Sequence, residues 1–206
     1  RPPRSTPSNS SAASDVYKRQ LKRLGMEKSI FKVYLTYKED EKGLIEINNK
    51  KYYSDERGMD IIDFMISPGK GENLKPVSKI ASGGELSRIM LAIKSVLAEV
   101  DKIPVLIFDE IDSGISGKIA SSVGKELKKL AKFHQILCVT HLPQIASMAD
   151  YHFLINKEEK MNRVITKIKS LNEEEKKTEI AKLISGEKIT KESLLTAEKL
   201  IEEGKK

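Results

Sequence analysis

The stretch 105-VLIFDE-110 places four consecutive apolar residues directly before two carboxylates. A strand without polar alternation needs cover on both of its faces, so this run predicts a central strand of a parallel sheet. Open α/β sheets carry their ligand crevice at the carboxyl ends of such strands. We therefore expect Asp109 and Glu110 to contribute to a polar site at that edge of the sheet.

A second apolar run, 136–139, ends in Thr140 and His141. The segment between the two runs has helical apolar spacing, with Ile119, Val123, Leu127 and Leu130 on its inner face. A strand, a helix and a following strand predict one right-handed crossover unit. The carboxyl ends of the two strands then meet at one edge, so Asp109 and His141 are expected to emerge together.

The segment 81-ASGGELSR-88 precedes the central strand and opens a helix predicted from Gly84 to about Val100. Ser82 is a candidate N-cap, and Glu85 lies three residues on, as in a capping box. Paired glycines at a helix start let the backbone approach a ligand, and the free N–H groups there favour anions. A capped helix without any ligand is the alternative interpretation.

The composition indicates a helix-rich protein of one or two domains. The chain has 206 residues with a net charge of +7, 33% charged residues and no tryptophan. A basic surface permits contact with DNA without demonstrating it. The one cysteine, Cys138, lies in an apolar run, which predicts a buried, unreactive thiol.

The rest of the chain divides at about Leu21. Residues 1–20 have a polar composition that predicts disorder, and their last ten residues look like a non-native adapter sequence. The remaining strands are predicted as two hairpins and one further strand: 31–37 with 44–47, 151–155 with 164–168, and 61–67. Two helices are expected at the end, beginning after Asn172 and at Thr190.

The segment Gly69-Lys70-Gly71 contains the Gly-Lys pair that also occurs in the phosphate-binding loop of nucleotide hydrolases. That motif requires G-x-x-x-x-G-K-[ST] between a strand and a helix. The lysine here is followed by glycine, and Pro76 interrupts the segment that follows. We interpret it as a turn, and the sequence contains no Walker A motif elsewhere.

Three stretches, ASGGELSR, VLIFDEIDSGISG and CVTHLPQIA, occur in this order. Together they resemble the C-terminal half of the ATPase head of the ABC class and, more narrowly, the SMC-like ATPases of bacterial DNA repair. The resemblance covers residues 21–206. It implies an α/β fold with a mainly parallel central sheet flanked by helices and an antiparallel β portion, with the Walker A half absent from the chain.

The resemblance also implies roles for individual residues. Asp109 would hold Mg²⁺ through water, Glu110 would be the catalytic glutamate, and His141 would be the switch histidine. Four signature residues would contact ATP bound to a partner head: Ser82, Gly83, Gly84 and Glu85.

The sequence departs from the broader ABC pattern at two positions. Ala81 stands where general ABC signatures have leucine. Ser116 stands where SMC-type proteins place an aspartate after the Walker B segment, so no role is carried over to it. Asp112 lies nearby, and its role is open.

The function implied is recombinational repair of DNA double-strand breaks by a cytoplasmic, nucleoid-associated protein. ATP and Mg²⁺ would be the cofactors, and a second head of a homodimer and DNA would be the partners, without a membrane. Two other enzymes remain open: another SMC-like chromosome-structure ATPase, and a transporter ATPase subunit, which would show Walker A a short distance upstream. A third alternative is a segment without activity of its own.

Overall fold

The computed structural model describes residues 11–67, 69, 71–80, 82–160 and 163–205. The interpretations of Lys70 and Ala81 therefore lie outside the described residues. The chain divides into two compact units, Arg1–Val96 and Leu97–Lys206. The boundary falls inside the segment 21–206 that the sequence suggested as one part.

The described residues of the first unit form two helices and five strands, with a short 3₁₀ turn at Val77–Lys79. In chain order the elements are α1 (Ser11–Arg23), β1 (Ile30–Thr36), β2 (Ile45–Ile47), β3 (Lys50–Tyr52), β4 (Ile61–Ser67), β5 (Lys75–Pro76) and α2 (Gly83–Leu97), whose last residue crosses the boundary.

The strand pairing in the first unit differs from the predicted hairpin. β1 pairs antiparallel with β4, with Phe31 opposite Ile66, and β5 extends this sheet in the order β1-β4-β5. β2 instead pairs with β3 across Asn48 and Asn49, which both adopt left-handed backbone angles. A two-residue turn of this kind favours asparagine, so the tight hairpin forms there and the prediction of β1 with β2 was wrong.

Helix α1 occupies residues for which the sequence suggested disorder. Residues 11–20 are helical, while residues 1–10 lie outside the described part of the chain. The helix packs on β1: the ring of Tyr17 lies 5.3 Å from that of Phe31, and Leu21 is buried. Burial of these apolar groups on β1 offsets the entropy cost of ordering the helix. The polar composition of the segment by itself does not indicate this gain.

Helix α1 is followed by a turn at Gly25. The N–H of Gly25 donates to Lys22 O, and the N–H of Met26 donates to Leu21 O at 2.9 Å. This pair of bonds is a Schellman motif, and Gly25 takes the left-handed angle that the motif requires, with φ of 81°.

The second unit begins with a strand–helix–strand unit and continues into a hairpin and two helices. Its elements are β6 (Val105–Phe108), α3 (Gly117–Leu130), β7 (Gln135–Cys138), α4 (Pro143–Ala146), β8 (Phe153–Lys160), β9 (Arg163–Ser170), α5 (Glu173–Ser185) and α6 (Lys191–Lys205).

Strands β6 and β7 are parallel neighbours, as predicted, with Phe108 opposite Cys138. Leu106 and Phe108 are buried, whereas Val105 and Ile107 are 40% and 73% exposed. The expectation of cover on both faces was therefore wrong for the described chain. The other described strand pairs are antiparallel, so the parallel portion is also smaller than the sequence suggested.

The last part of the chain follows its predicted elements closely. β8 and β9 form the predicted antiparallel hairpin and are longer than expected. Helix α5 begins with a complete capping box between Asn172 and Glu175 and packs against α6 through Ile180, Ala181, Ala197 and Ile201. Within the described ranges, no helix is long and apolar enough to cross a membrane.

Candidate active site

The polar residues after β6 and β7 lie at one edge of the parallel pair. The N–H of Val139 donates to Phe108 O at 3.0 Å, which extends the ladder to the ends of both strands. Asp109 follows Phe108 directly, and His141 follows Val139 by two residues. The prediction that these two side chains emerge at the same edge is confirmed.

The turn after β6 separates two exposed carboxylates from two buried side chains. Glu110 has φ of 56°, a left-handed angle that a non-glycine residue rarely adopts. Its N–H donates to Asp109 Oδ1 at 2.9 Å, and its carbonyl accepts from Ser113 N at 3.0 Å. Asp109 and Glu110 are exposed, while Ile111 and Asp112 are buried. The sharp turn thus presents both acids and anchors the loop through the next two residues.

Asp112 contacts His141 directly. Its Oδ2 accepts hydrogen bonds from Thr140 Oγ1 at 2.6 Å and from the His141 N–H at 2.9 Å. The ring atom His141 Nδ1 lies 3.0 Å from the same oxygen. The side chain of Asp112 is 6% exposed and that of His141 is 75% exposed, so the carboxylate holds the inner edge of an otherwise open ring.

These contacts argue against Asp112 as a general base. The sequence left the role of Asp112 open, and a carboxylate three residues after Asp109 is a further candidate for a base. Its Oδ2 already accepts two hydrogen bonds and lies 3.0 Å from His141 Nδ1, and the side chain is buried. A base must reach the proton that it abstracts, and the exposed Glu110 meets that requirement better.

Thr140 is a site residue that sequence reasoning missed. Its hydroxyl donates to Asp112 Oδ2 and accepts from Leu142 N at 3.1 Å. It therefore joins the end of β7 to the turn after β6 and to the approach to α4. The signal in the sequence was a hydroxyl residue directly before His141, but the partner becomes evident only once the two strands are paired.

The pKa of the Cys138 thiol, at the end of β7, is affected by the carboxylates at this edge. Burial raises the pKa of its thiol to about 12, and the negative charges of Asp112 and Asp109 add to that effect. A thiol with this pKa stays protonated at neutral pH and is a poor nucleophile. Cys138 is half-buried and not fully buried as predicted, and its raised pKa supports the interpretation of an unreactive thiol.

The donor set at this edge suits a magnesium ion that takes most of its ligands from elsewhere. Mg²⁺ prefers oxygen ligands and is usually bound by one or two carboxylates together with water and substrate phosphates. Asp109 and Glu110 supply exposed carboxylates, and the described residues contain no group of three or more metal-binding side chains. The residues present therefore fit a nucleotide-bound Mg²⁺ better than a closed protein cage.

The predicted signature segment begins α2 in the first unit. Leu86 N donates to Ser82 O at 3.0 Å, and Glu85 N donates to Ser82 Oγ at 3.4 Å, which confirms Ser82 as the N-cap. Ser82 and Gly83 are exposed, and Gly84 is buried. The helix thus opens with an accessible N-terminus, where unpaired N–H groups and the helix dipole favour an anion.

A solved structure supports the fold. The Smc head domain with a coiled coil and joint from Pyrococcus yayanosii superposes with a TM-score of 0.50, at 18% identity over 95% of this chain and 29% of that one. The chain therefore has the predicted α/β fold, shared with part of that head domain. No protein-family model matches the chain.

Curated relatives define the family more narrowly. The DNA repair protein RecN of Bacillus subtilis is 44% identical over 86% of this chain. RecN of Halalkalibacterium halodurans is 40% identical over 89% of it. The chain spans about 31% of the length of both relatives. Over that segment, the chain is similar to the DNA repair protein RecN of both organisms.

Proposed function

We propose that this chain is the part of a DNA-repair ATPase head that supplies the hydrolytic residues and the signature helix. The proposal rests on one observation: Asp109, Glu110 and His141 all lie at the carboxyl edge of β6 and β7. This edge is where α/β sheets bind their ligands. The name of the curated relatives supports a role in DNA repair.

Each residue at this edge has a distinct role in the proposal. Asp109 would hold Mg²⁺ through water, next to the phosphates of ATP. The exposed carboxylate of Glu110 accepts a proton from the attacking water. His141 presents Nε2 outward, because its Nδ1 faces Asp112, and the ring contacts the terminal phosphate. When bound, Mg²⁺ neutralises the charge that develops on the transferred phosphoryl group.

The signature helix acts on a different nucleotide in this proposal. The N-terminus of α2, with Ser82, Gly83, Gly84 and Glu85, contacts ATP bound to a second head. An accessible helix N-terminus is a suitable anion site, which supports this role. ATP would then join two heads of a homodimer, and hydrolysis would release them. The whole protein would use this cycle in recombinational repair of double-strand breaks.

The experiment uses a chimera in which this chain replaces the matching segment of the Bacillus subtilis relative. That relative is long enough to supply the part of the protein that this chain does not match. Ser82→Arg places a bulky cation at the exposed start of α2. We expect ATP binding to a single head to persist and ATP-driven dimerisation to fail, as measured by nucleotide titration and sedimentation.

Ser170→Arg is the matched control, since Ser170 is an exposed serine at the end of β9 and the substitution adds the same charge. It should leave both measurements unchanged. A loss of single-head ATP affinity in Ser82→Arg, with dimerisation retained, would contradict the action of this helix on a second head.

A further inference from the structure

The buried carboxylate of Asp112 has no role in the chemistry proposed above, yet it is one of the few buried acids in the described chain. Burying a charge is costly unless hydrogen bonds replace the lost water. Oδ2 accepts hydrogen bonds from Thr140 Oγ1 and from the His141 N–H, and the His141 Nδ1 atom lies 3.0 Å from the same oxygen. The main effect of this buried carboxylate is therefore to restrain His141.

The two contacts from His141 restrain different parts of that residue. The bond from its backbone N–H fixes the chain where β7 ends, while the contact from Nδ1 fixes the orientation of the ring. A ring that is 75% exposed has little packing of its own to hold it in one rotamer. One oxygen of Asp112 therefore restrains both the backbone of His141 and the orientation of its ring.

The acceptor also selects the tautomer of the ring. A carboxylate oxygen can only accept, so Nδ1 must carry the proton in the neutral ring. Nε2 then faces away from Asp112 with a lone pair, and it becomes a donor only when the ring is protonated. Hydrogen bonds to an ionised acceptor are stronger than neutral ones, which favours this arrangement over the Nε2–H tautomer.

We infer that Asp112 is a positioning residue that holds the ring of His141 with Nδ1–H toward its carboxylate and Nε2 outward. The consequence for catalysis rests on the proposed function, in which Nε2 meets a phosphate oxygen. Asp112 itself touches neither substrate nor metal in this scheme. The same contacts make Asp112 unsuitable as a general base.

The test is the tautomer of His141, measured by ¹⁵N NMR of the imidazole nitrogens in the intact 206-residue chain. The measurement is made at about pH 9, where an ordinary histidine is neutral. The chain has three histidines, so His141→Ala assigns the signals. His134 is an internal reference: its Nδ1 lies 2.6 Å from Ile103 O, a carbonyl that can only accept.

The parent chain should show His141 mainly in the Nδ1–H form. Asp112→Ala removes the acceptor, and we expect the ratio of Nδ1–H to Nε2–H to fall about tenfold. Asp112→Asn keeps the shape with a weaker acceptor and should lower the ratio about fivefold; it decides the question if the alanine variant fails to fold. His134 should stay in its Nδ1–H form in both variants.

Two controls separate positioning from a merely structural effect. Thr140→Val removes a different donor to Asp112, so it perturbs the same cluster but should leave the tautomer of His141 unchanged. Asp150→Ala removes an exposed carboxylate of the same unit, which pairs with Lys128, and should also have no effect.

A parent chain with His141 mainly in the Nε2–H form would overturn the inference. So would an Asp112→Asn variant whose ratio stays within twofold of the parent. Hydrolysis by the chimera with His141→Ala tests the proposed function separately. Activity at the parent rate there would refute the role of His141 in hydrolysis, and the NMR result would still decide what Asp112 does.

Discussion

Replacing Glu110 by glycine should stabilise the protein relative to replacing it by alanine. Glu110 has φ of 56°, in the region where a Cβ approaches the following carbonyl oxygen. Alanine keeps that Cβ, and glycine removes it. Because left-handed angles in non-glycine residues concentrate at functional sites, this comparison also tests whether the turn stores strain to present the carboxylate.

The magnitude follows from two opposing effects. Relief of the left-handed angle is worth about 1–2 kcal/mol. The greater freedom of glycine in the unfolded chain costs about 0.5–1 kcal/mol. Glu110→Gly should therefore exceed Glu110→Ala by about 0.5–1 kcal/mol in the free energy of unfolding.

The assay is urea denaturation followed by circular dichroism, with Ala131→Gly as the matched control. Ala131 is also exposed and follows a helix of the same unit, but its φ is −63°. There glycine should cost about 0.5–1 kcal/mol. If Glu110→Gly is less stable than Glu110→Ala by the same amount, the backbone at Glu110 is unstrained and the reasoning fails.

Substitutions at three further positions test the packing and charge of the second unit. Asn172→Ala removes the cap of α5 and should cost about 1 kcal/mol of unfolding free energy, whereas Asn172→Asp should retain it. Gly124→Ala should cost about 1–3 kcal/mol, because a Cβ there would lie 2.9 Å from Gln144 O; a stabilised variant would contradict the close approach of α3 and α4. The raised pKa of Cys138, about 12, keeps the folded thiol protonated while the unfolded thiol ionises near pH 9. Stability should therefore fall above about pH 9 by up to about 1.4 kcal/mol per pH unit, and less steeply in Cys138→Ala.

Local patterns predicted the parts of the site that depend on neighbouring residues in sequence. The apolar run before Asp109 and Glu110, the crossover to β7 and the N-cap Ser82 were all confirmed. Each depends on a period or a cap that a few consecutive residues determine. The resemblance then added roles that no spacing by itself could assign.

Pairing between distant segments was harder to predict. The partner of β1 is β4, which lies after the β2–β3 hairpin, because the asparagine pair at 48–49 closes a tighter turn. Helix α1 owes its order to packing on β1, which its composition does not reveal. Both errors came from weighing local sequence over contacts made elsewhere in the chain.

The contacts of Asp112 likewise depend on residues that are distant in sequence. Residues 112 and 141 are 29 positions apart, and they meet only because β6 and β7 lie side by side. Val105 and Ile107 show the opposite case, in which the local sequence predicts burial but the side chains are exposed. Their apolar pattern indicates a strand suited to cover on both sides, and the described residues do not provide it on one of them.

The most direct test of the central claim compares Glu110→Gln with Asp109→Asn in the chimera with the Bacillus subtilis relative. Glutamine keeps the shape of glutamate but cannot take a proton from water at neutral pH, so hydrolysis should fall by about 10²-fold or more. ATP binding and ATP-driven dimerisation should persist in Glu110→Gln, whereas Asp109→Asn should impair both dimerisation and hydrolysis by weakening the hold on Mg²⁺. Hydrolysis by Glu110→Gln at close to the parent rate would contradict the assignment of Glu110 as the base.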